Sequence, residues 1–166
     1  MNIFVLDNDP KKCAEAHCNK HVVKMILEHA QLMCTAHHLR KNTTVKYEIP
    51  YKQTHINHPC AVWVRESLGN YRWLYVMTHY LNEEYKRRFK HDVNHKSWDV
   101  IKSMPEPAMY DIDITKRPRA MPDVYKIGDD IVASYRSYYI HEKYELLKYT
   151  DTKIPNWISE GQDNNT

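Results

Sequence analysis

Four side chains that can do chemistry, His17, His21, Lys24 and Glu28, recur at steps of four, three and four residues between Ala14 and His38. No Gly or Pro interrupts that stretch, so the spacing predicts one long helix with all four side chains on a single line. The rest of the helix surface is mostly apolar, which favours burial. Buried charged and polar groups must satisfy one another or line a cavity. The pattern therefore favours a catalytic cleft, although the solvated face of an ordinary amphipathic helix would show the same line.

Three kinds of chemistry fit these side chains. His17 and His21 could share a metal ion, but the HExxH motif is absent and a third ligand would have to come from elsewhere in the chain. Lys24, if partly desolvated, or the α-amine of Met1 could form a Schiff base with a sugar carbon while Glu28 transfers protons. Glu28 or a histidine could instead act as a general base while Lys24 stabilises developing negative charge. We assign no metal ligands and no cofactor.

The composition narrows the class of protein. The chain has 166 residues, enough for one domain, and its net charge of +3 with 13 Tyr and 11 His is compatible with nucleic-acid binding without requiring it. Only three Gly are present, and GxGxxG and P-loop patterns are absent, which argues against dinucleotide-binding and P-loop enzymes. Four Cys without CxxC spacing predict reduced thiols and a cytoplasmic location. No run of residues predicts a signal peptide or a membrane span.

The elements around the first helix are predicted from apolar runs and proline positions. Ile3 to Leu6 reads as a short strand or extended arm. A second long helix is expected from Cys60 to about His91, since Pro59 suits the first helical position. A short helix, Asn94 to about Met104, and a third long helix, Asp130 to about Tyr149, follow. We therefore predict a mostly α fold, one compact domain (1–158) of three long helices plus short ones with an N-terminal extended arm, followed by a disordered tail (159–166).

Polar residues outside the first helix are candidates for substrate binding. His55, Asn57 and His58 precede the second helix, where they either cap it or stand at a helix N-terminus that attracts anions. A basic cluster lies at 116–119, and aromatic and basic residues alternate along the third helix, as in proteins that clamp a nucleic-acid strand. A solvated loop and an ordinary packed helix would show the same patterns. The expected phosphate or base contacts here are Arg65, Arg117, Arg119, Tyr135, Arg136 and Lys143.

Three features in this order are similar to those of a known family. They are the Asn2 to Leu6 arm running through Pro10 into the His17 to Glu28 stretch, the Asn57-His58-Pro59 helix start, and a Tyr-rich C-terminal helix followed by Pro155-Asn156-Trp157. In them the chain resembles the pyrimidine-dimer DNA glycosylase/AP lyase family, which includes the phage endonuclease V. It is also similar to small proteins of large DNA phages.

The resemblance implies a helical protein that bends DNA, displaces a base and attacks the sugar carbon with its N-terminal amine, assisted by a glutamate. Carried over, the amine is that of Met1 and the glutamate is Glu28, although the position of the family's glutamate also aligns with Lys24. Asn2 is bulky, so we expect Met1 to be retained. We therefore expect a DNA-acting enzyme for damaged or modified bases, with DNA as partner and no membrane association. The alternatives are an enzyme for nucleotides or phosphorylated substrates with a His-lined metal site, and a non-catalytic binding protein.

Overall fold

A computed structural model describes residues 1–163 and contains seven α-helices in that part of the chain. They are α1 (Pro10–Ala16), α2 (Asn19–Leu39), α3 (Pro59–Val64), α4 (Leu68–Phe89), α5 (Lys96–Lys102), α6 (Ile131–Glu142) and α7 (Asn156–Asp163). Over these residues no strand ladder forms, and the only bridge pairs Ile127 with Asp130. The predicted mostly α, single-domain fold is confirmed.

Helix α2 lies at the centre of the protein and packs against α3, α4 and α5. Its apolar residues Met25, Ile26 and Met33 are fully buried, as the apolar pattern predicts. On another arc of the helix Val23 and Leu27 are 39% and 41% exposed, so burial on nearly every side is wrong there. On α4, Leu74 and Met77 are fully buried as well. Each such side chain stabilises the fold by about 1.5–3 kcal/mol through loss of apolar surface to water. The core therefore fixes α2 rigidly, and with it the side chains that α2 presents to its surroundings.

The first predicted helix is interrupted, and its prediction as one continuous helix is wrong at His17 and Cys18. Both residues have extended backbone angles between α1 and α2. The Cys18 N–H donates to the hydroxyl of Tyr139 at 3.1 Å, and Arg88 donates to the His17 carbonyl at 2.6 Å. Since these partners replace bonds within the helix, the chain can leave the helical path without a Gly or Pro.

The second predicted helix is also divided, into α3 and α4. The Ser67 hydroxyl caps α4 by accepting the Asn70 N–H at 3.0 Å. An extended segment crosses this helix start, and the Gly69 N–H donates to the Ile112 carbonyl at 3.0 Å. A Cβ at Gly69 would lie 2.6 Å from backbone atoms of that segment, so glycine permits the close approach.

The C-terminal part differs from expectation in two places. Helix α6 ends at Glu142 instead of near Tyr149, and a 3₁₀ turn at Tyr144–Leu146 follows it. The predicted disordered tail begins inside α7, because the structure continues this helix through Ser159 to Asp163 and the Ile158 side chain is buried. Residues 164–166 lie outside the described part of the chain. Of the helices described, none is long and apolar enough to cross a membrane.

Candidate active site

The extended N-terminal arm carries the α-amino group of Met1 to a carboxylate on α2. The Met1 nitrogen lies 3.4 Å from Oε1 of Glu28, and the two side chains are 4% and 16% exposed. Partial exclusion of water strengthens the attraction between the two charges relative to a surface pair. The structure thus joins an amine and a carboxylate, the two groups that Schiff-base chemistry needs.

Asn2 holds the arm in place through both ends of its side-chain amide. Its Oδ1 accepts from the Tyr135 hydroxyl and from the Ile3 N–H, each at 2.8 Å, and its Nδ2 donates to the Ala120 carbonyl at 2.8 Å. Asn2, Ile3 and Tyr135 are all buried, so these bonds do not compete with water. The position of the Met1 amine is therefore set by α6 and by the segment that precedes it.

The backbone of the arm is also strained at one residue. Phe4 has φ +52°, in the left-handed region that non-glycine residues rarely adopt. Such a conformation costs about 1–3 kcal/mol and persists only where surrounding contacts enforce it. Here the Cys13 thiol donates to the Phe4 carbonyl at 3.3 Å, and the Leu6 N–H donates to the same carbonyl at 2.9 Å.

A cleft of about 450 Å³ opens beside the Met1 amine. Seven of the residues that the sequence nominates line it, namely Met1, His21, Lys24, Glu28, His58, Arg119 and Lys143. Lys24 is exposed at the cleft, so the partial desolvation that its role as a nucleophile requires is absent. Lys24, Arg119 and Lys143 line the cleft together with the single carboxylate of Glu28, which makes the cleft positive overall and suited to a sugar flanked by phosphates.

His58 caps α3 and faces the cleft as a neutral imidazole. Its Nδ1 accepts the Cys60 N–H at 3.1 Å, so the neutral ring carries its proton on Nε2. Partial burial lowers the pKa of His58, and the positive charge of the Met1 amine lowers it further, while Glu28 opposes the shift. His58 therefore supplies an N–H donor close to the amine and carboxylate.

His21 belongs to the floor of the cleft. Its Nδ1 lies 2.7 Å from the Tyr139 hydroxyl, and its ring stacks on Phe4 with centroids 4.4 Å apart. Burial lowers the pKa of His21 to about 3, with the neighbouring His17 and nearby lysines acting in the same direction. The ring of Tyr138 lies on Phe4 with centroids 6.1 Å apart. His21 is thus a neutral, aromatic part of the cleft at neutral pH.

Other nominated residues lie away from the cleft. His17 is fully buried, its Nδ1 lies 2.7 Å from the Cys13 carbonyl, and burial lowers its pKa to about 4. His55 and Asn57 are exposed and do not line the cleft. Arg65 donates to the Ile56 carbonyl at 2.6 Å and lines a neighbouring depression on α3 instead of the cleft itself.

Tyr135 and Arg136 hold the N-terminal arm and do not line the cleft, which corrects their expected role in substrate contact. The Tyr135 ring is fully buried, with its hydroxyl on Asn2. Arg136 donates to the Leu6 carbonyl at 2.9 Å and pairs with Asp7 at 3.3 Å. Arg117 also contacts this end of the chain, because it donates to the Asn8 side chain; its guanidinium lies 5.0 Å from the Trp73 ring centroid.

The two histidines proposed to share a metal do not form a metal site by themselves. Their ring centroids are 6.5 Å apart, and each Nδ1 contacts another group. Within residues 1–163, no group of three or more His, Cys, Asp or Glu side chains is placed to hold a metal ion.

Sequence reasoning missed Asn2, Phe4 and Tyr138 as parts of the site. A signal existed for Asn2, which is the one polar side chain ahead of four apolar residues in the arm. Phe4 is one of only two Phe in the chain. Neither signal indicates which distant part of the chain the side chain contacts.

Comparison with known proteins yields one match. The model of a family described as pyrimidine dimer DNA glycosylase matches residues 1–97, which is more than half of the chain and includes Met1, Lys24, Glu28 and His58. Arg119, Tyr138 and Lys143, which complete the cleft, lie beyond the matched region. Searches of curated proteins and of solved structures found no match. On the family match, the chain belongs to the pyrimidine dimer DNA glycosylase family.

Proposed function

We propose that this protein is a DNA glycosylase with AP lyase activity, acting on damaged or modified pyrimidines, in which the α-amine of Met1 is the nucleophile. The observation that carries the proposal is the 3.4 Å contact between this amine and Glu28 at the cleft. Membership of a DNA glycosylase family supports a base attached to deoxyribose as the substrate. A nucleophile beside a proton-accepting group is the arrangement that covalent catalysis requires.

In the first step, Glu28 takes a proton from the Met1 ammonium, and the free amine attacks C1′ of the target nucleotide. The bond between C1′ and the base breaks, and the base leaves with the electron pair and takes up a proton. Glu28 passes the first proton to the departing base, and the amine, now bonded to C1′, gives its second proton to the freed carboxylate, which can hand it to O4′. The sugar ring then opens as O4′ receives a proton, which leaves a protonated imine between Met1 and C1′.

In the second step, the Glu28 carboxylate removes a proton from C2′, activated by the adjacent imine. The C3′–O bond breaks, the 3′ phosphate leaves and the DNA strand is cut. Water hydrolyses the imine and frees the amine. Lys24, Arg119 and Lys143 stabilise the flanking phosphates, and the His58 Nε2–H is available to an oxygen of the sugar.

Cleavage of labelled duplexes tests this function. One duplex carries a cyclobutane pyrimidine dimer and the other an abasic site, and we expect the protein to cut both at the lesion. Glu28→Gln keeps the side-chain size but cannot shuttle protons, so cleavage should fall by about 10²–10⁴-fold while binding to the abasic duplex is retained.

Glu15→Gln is the matched control, because Glu15 is an exposed carboxylate on α1 that does not line the cleft. We expect it to cut both duplexes at the wild-type rate. A folded wild-type protein that binds the abasic duplex but cuts neither substrate would overturn the proposed function.

A further inference from the structure

Three adjoining depressions, of which the cleft is the first, follow α3 and share lining residues; together they are here called the α3 groove. Beyond the cleft of about 450 Å³ lies a middle stretch of about 500 Å³, and Pro59 and Arg119 line both. A far stretch of about 680 Å³ follows, and Val62 and Glu66 line both it and the middle stretch. Shared walls at each junction mean that an extended ligand seated in the cleft can follow the groove along α3.

The α3 groove concentrates positive charge. The full chain has nearly balanced charges, with 24 Lys and Arg against 21 Asp and Glu. Among the described residues that line the groove, Glu28 and Glu66 are the carboxylates. The basic side chains are Lys24, Arg40, Arg65, Lys116, Arg117, Arg119, Lys126 and Lys143. Of these, Lys126 is paired with Asp123 at 2.7 Å, so it adds little to the excess. A groove lined mainly by one sign of charge attracts an extended polyanion.

The arginines of the groove are oriented by neutral oxygen atoms. Arg40 donates to the Leu39 carbonyl at 2.9 Å, Arg65 to the Ile56 carbonyl at 2.6 Å, and Arg119 to the Gly128 carbonyl. Within residues 1–163, none of these three forms an ion pair with a carboxylate. At the C-terminal end of α4, by contrast, Lys86 pairs with Glu83 at 3.0 Å, and Arg87 pairs with Glu84.

The far stretch is lined by two positively charged guanidinium groups, those of Arg40 and Arg65. Burial lowers the pKa of Arg65, and the charge of Arg40 lowers it further, ahead of the opposing effect of Glu66. The Tyr110 side chain at this end is 81% exposed, although a large aromatic group gains from burial. Two guanidinium groups beside an open aromatic ring are suited to a phosphate backbone with an adjacent sugar or base.

We propose that the α3 groove holds the DNA that flanks the reacting nucleotide on one side, with backbone phosphates on Arg40 and Arg65. This inference rests on the proposed function, since it takes the cleft as the place where the target sugar reacts. From Pro59 to Glu66 a helical path spans about 10 Å, or about three base pairs at 3.4 Å each. A flank shorter than this does not reach the far stretch.

Binding to abasic duplexes of different length tests the proposal. One duplex has flanks of about 12 base pairs on both sides, and two others have the 5′ or the 3′ flank trimmed to about two. For the wild type, trimming one of the two flanks should weaken binding, and trimming the other should have little effect. The Arg40→Gln/Arg65→Gln double variant should bind the long duplex at least about tenfold more weakly, and its plot of log affinity against log salt should be less steep by about two.

On the duplex trimmed at the sensitive side, the double variant and the wild type should bind alike and cut at the same rate. Arg40→Gln alone changes only an exposed side chain, and its salt slope should fall by about one even if the double variant folds poorly. The matched control is Lys96→Gln/Lys102→Gln, which removes two exposed charges on α5 outside the groove and should behave as wild type.

Each failure has its own signature. If the wild type cuts abasic DNA but both arginine variants bind the long duplex with wild-type affinity and salt slope, the groove does not hold the flank. If the wild type cuts no duplex of any length yet binds DNA, the proposed function fails instead. Equal losses in the lysine control and in the arginine variants would mean that net charge alone controls binding, which would also overturn the groove proposal.

Discussion

Buried neutral histidines should make this protein unusually sensitive to mild acid. Burial is the main cause that lowers the pKa of His17 and His37 to about 4 and that of His21 to about 3. Burial also lowers the pKa of His29 well below its usual value. An unfolded chain exposes the same imidazoles to water, where they titrate near pH 6.5.

Acid lowers the free energy of unfolding because the unfolded chain takes up more protons than the folded chain. Below pH 6.5 the imidazoles of the unfolded chain are protonated, whereas the buried imidazoles of the folded chain stay neutral. The free energy of unfolding therefore falls as pH falls, and the loss from each histidine ends once pH drops below its pKa in the folded chain. Between pH 7 and pH 5, each of His17, His21 and His37 should remove about 2 kcal/mol. Together they remove about 6 kcal/mol, a large share of the 5–15 kcal/mol typical of a domain, and His29 acts in the same direction.

Urea unfolding of the wild type and of His37→Gln at pH 7 and pH 5 checks this magnitude. His37 bonds to the hydroxyls of Tyr47 and Tyr71 at 2.9 and 2.8 Å, so the variant should be less stable at pH 7. Its further loss between pH 7 and pH 5 should be about 2 kcal/mol smaller than that of the wild type. His91→Gln, at an exposed position, should lose as much as the wild type. Equal losses in wild type and His37→Gln would refute the reasoning.

Three more predictions concern the cleft. Tyr135→Phe removes the donor to Asn2, so the free energy of unfolding should fall by about 1–3 kcal/mol. The kcat for abasic-site cleavage should fall while KM is unchanged, which a purely structural loss would not produce. His58→Asn keeps a good N-cap but loses the Nε2 donor, so the melting temperature should hold while kcat falls by on the order of 10²-fold. Lys24→Gln/Lys143→Gln should reduce the salt slope of DNA binding by about two, measured by fluorescence anisotropy.

Much of the fold could be predicted because apolar periodicity is local information. The pattern along α2 marked Met25, Ile26 and Met33 as core residues, and all three are fully buried. The break at His17 and Cys18 could not be predicted, since it depends on Tyr139 and Arg88, which lie far away in the sequence. Local signals such as Gly and Pro mark the turns that a chain favours by itself, and they miss those enforced by distant partners.

The site shows the same division. The line His21, Lys24 and Glu28 follows from helical spacing, and all three side chains line one cleft. The alternation of aromatic and basic residues on α6 predicts that Tyr135 contacts the substrate. That pattern does not reveal which face of α6 packs inward, and Tyr135 and Tyr139, four residues apart, both lie in the core.

The identity of the nucleophile tests the central claim most directly. Incubation with abasic DNA and borohydride reduces any imine to a stable bond, and mass spectrometry of the digested adduct then locates the modified residue. Attack by the amine that Glu28 faces predicts that the DNA remnant is attached to the α-nitrogen of Met1. An adduct on Lys24, or no adduct from a protein that binds the same DNA, would contradict the account.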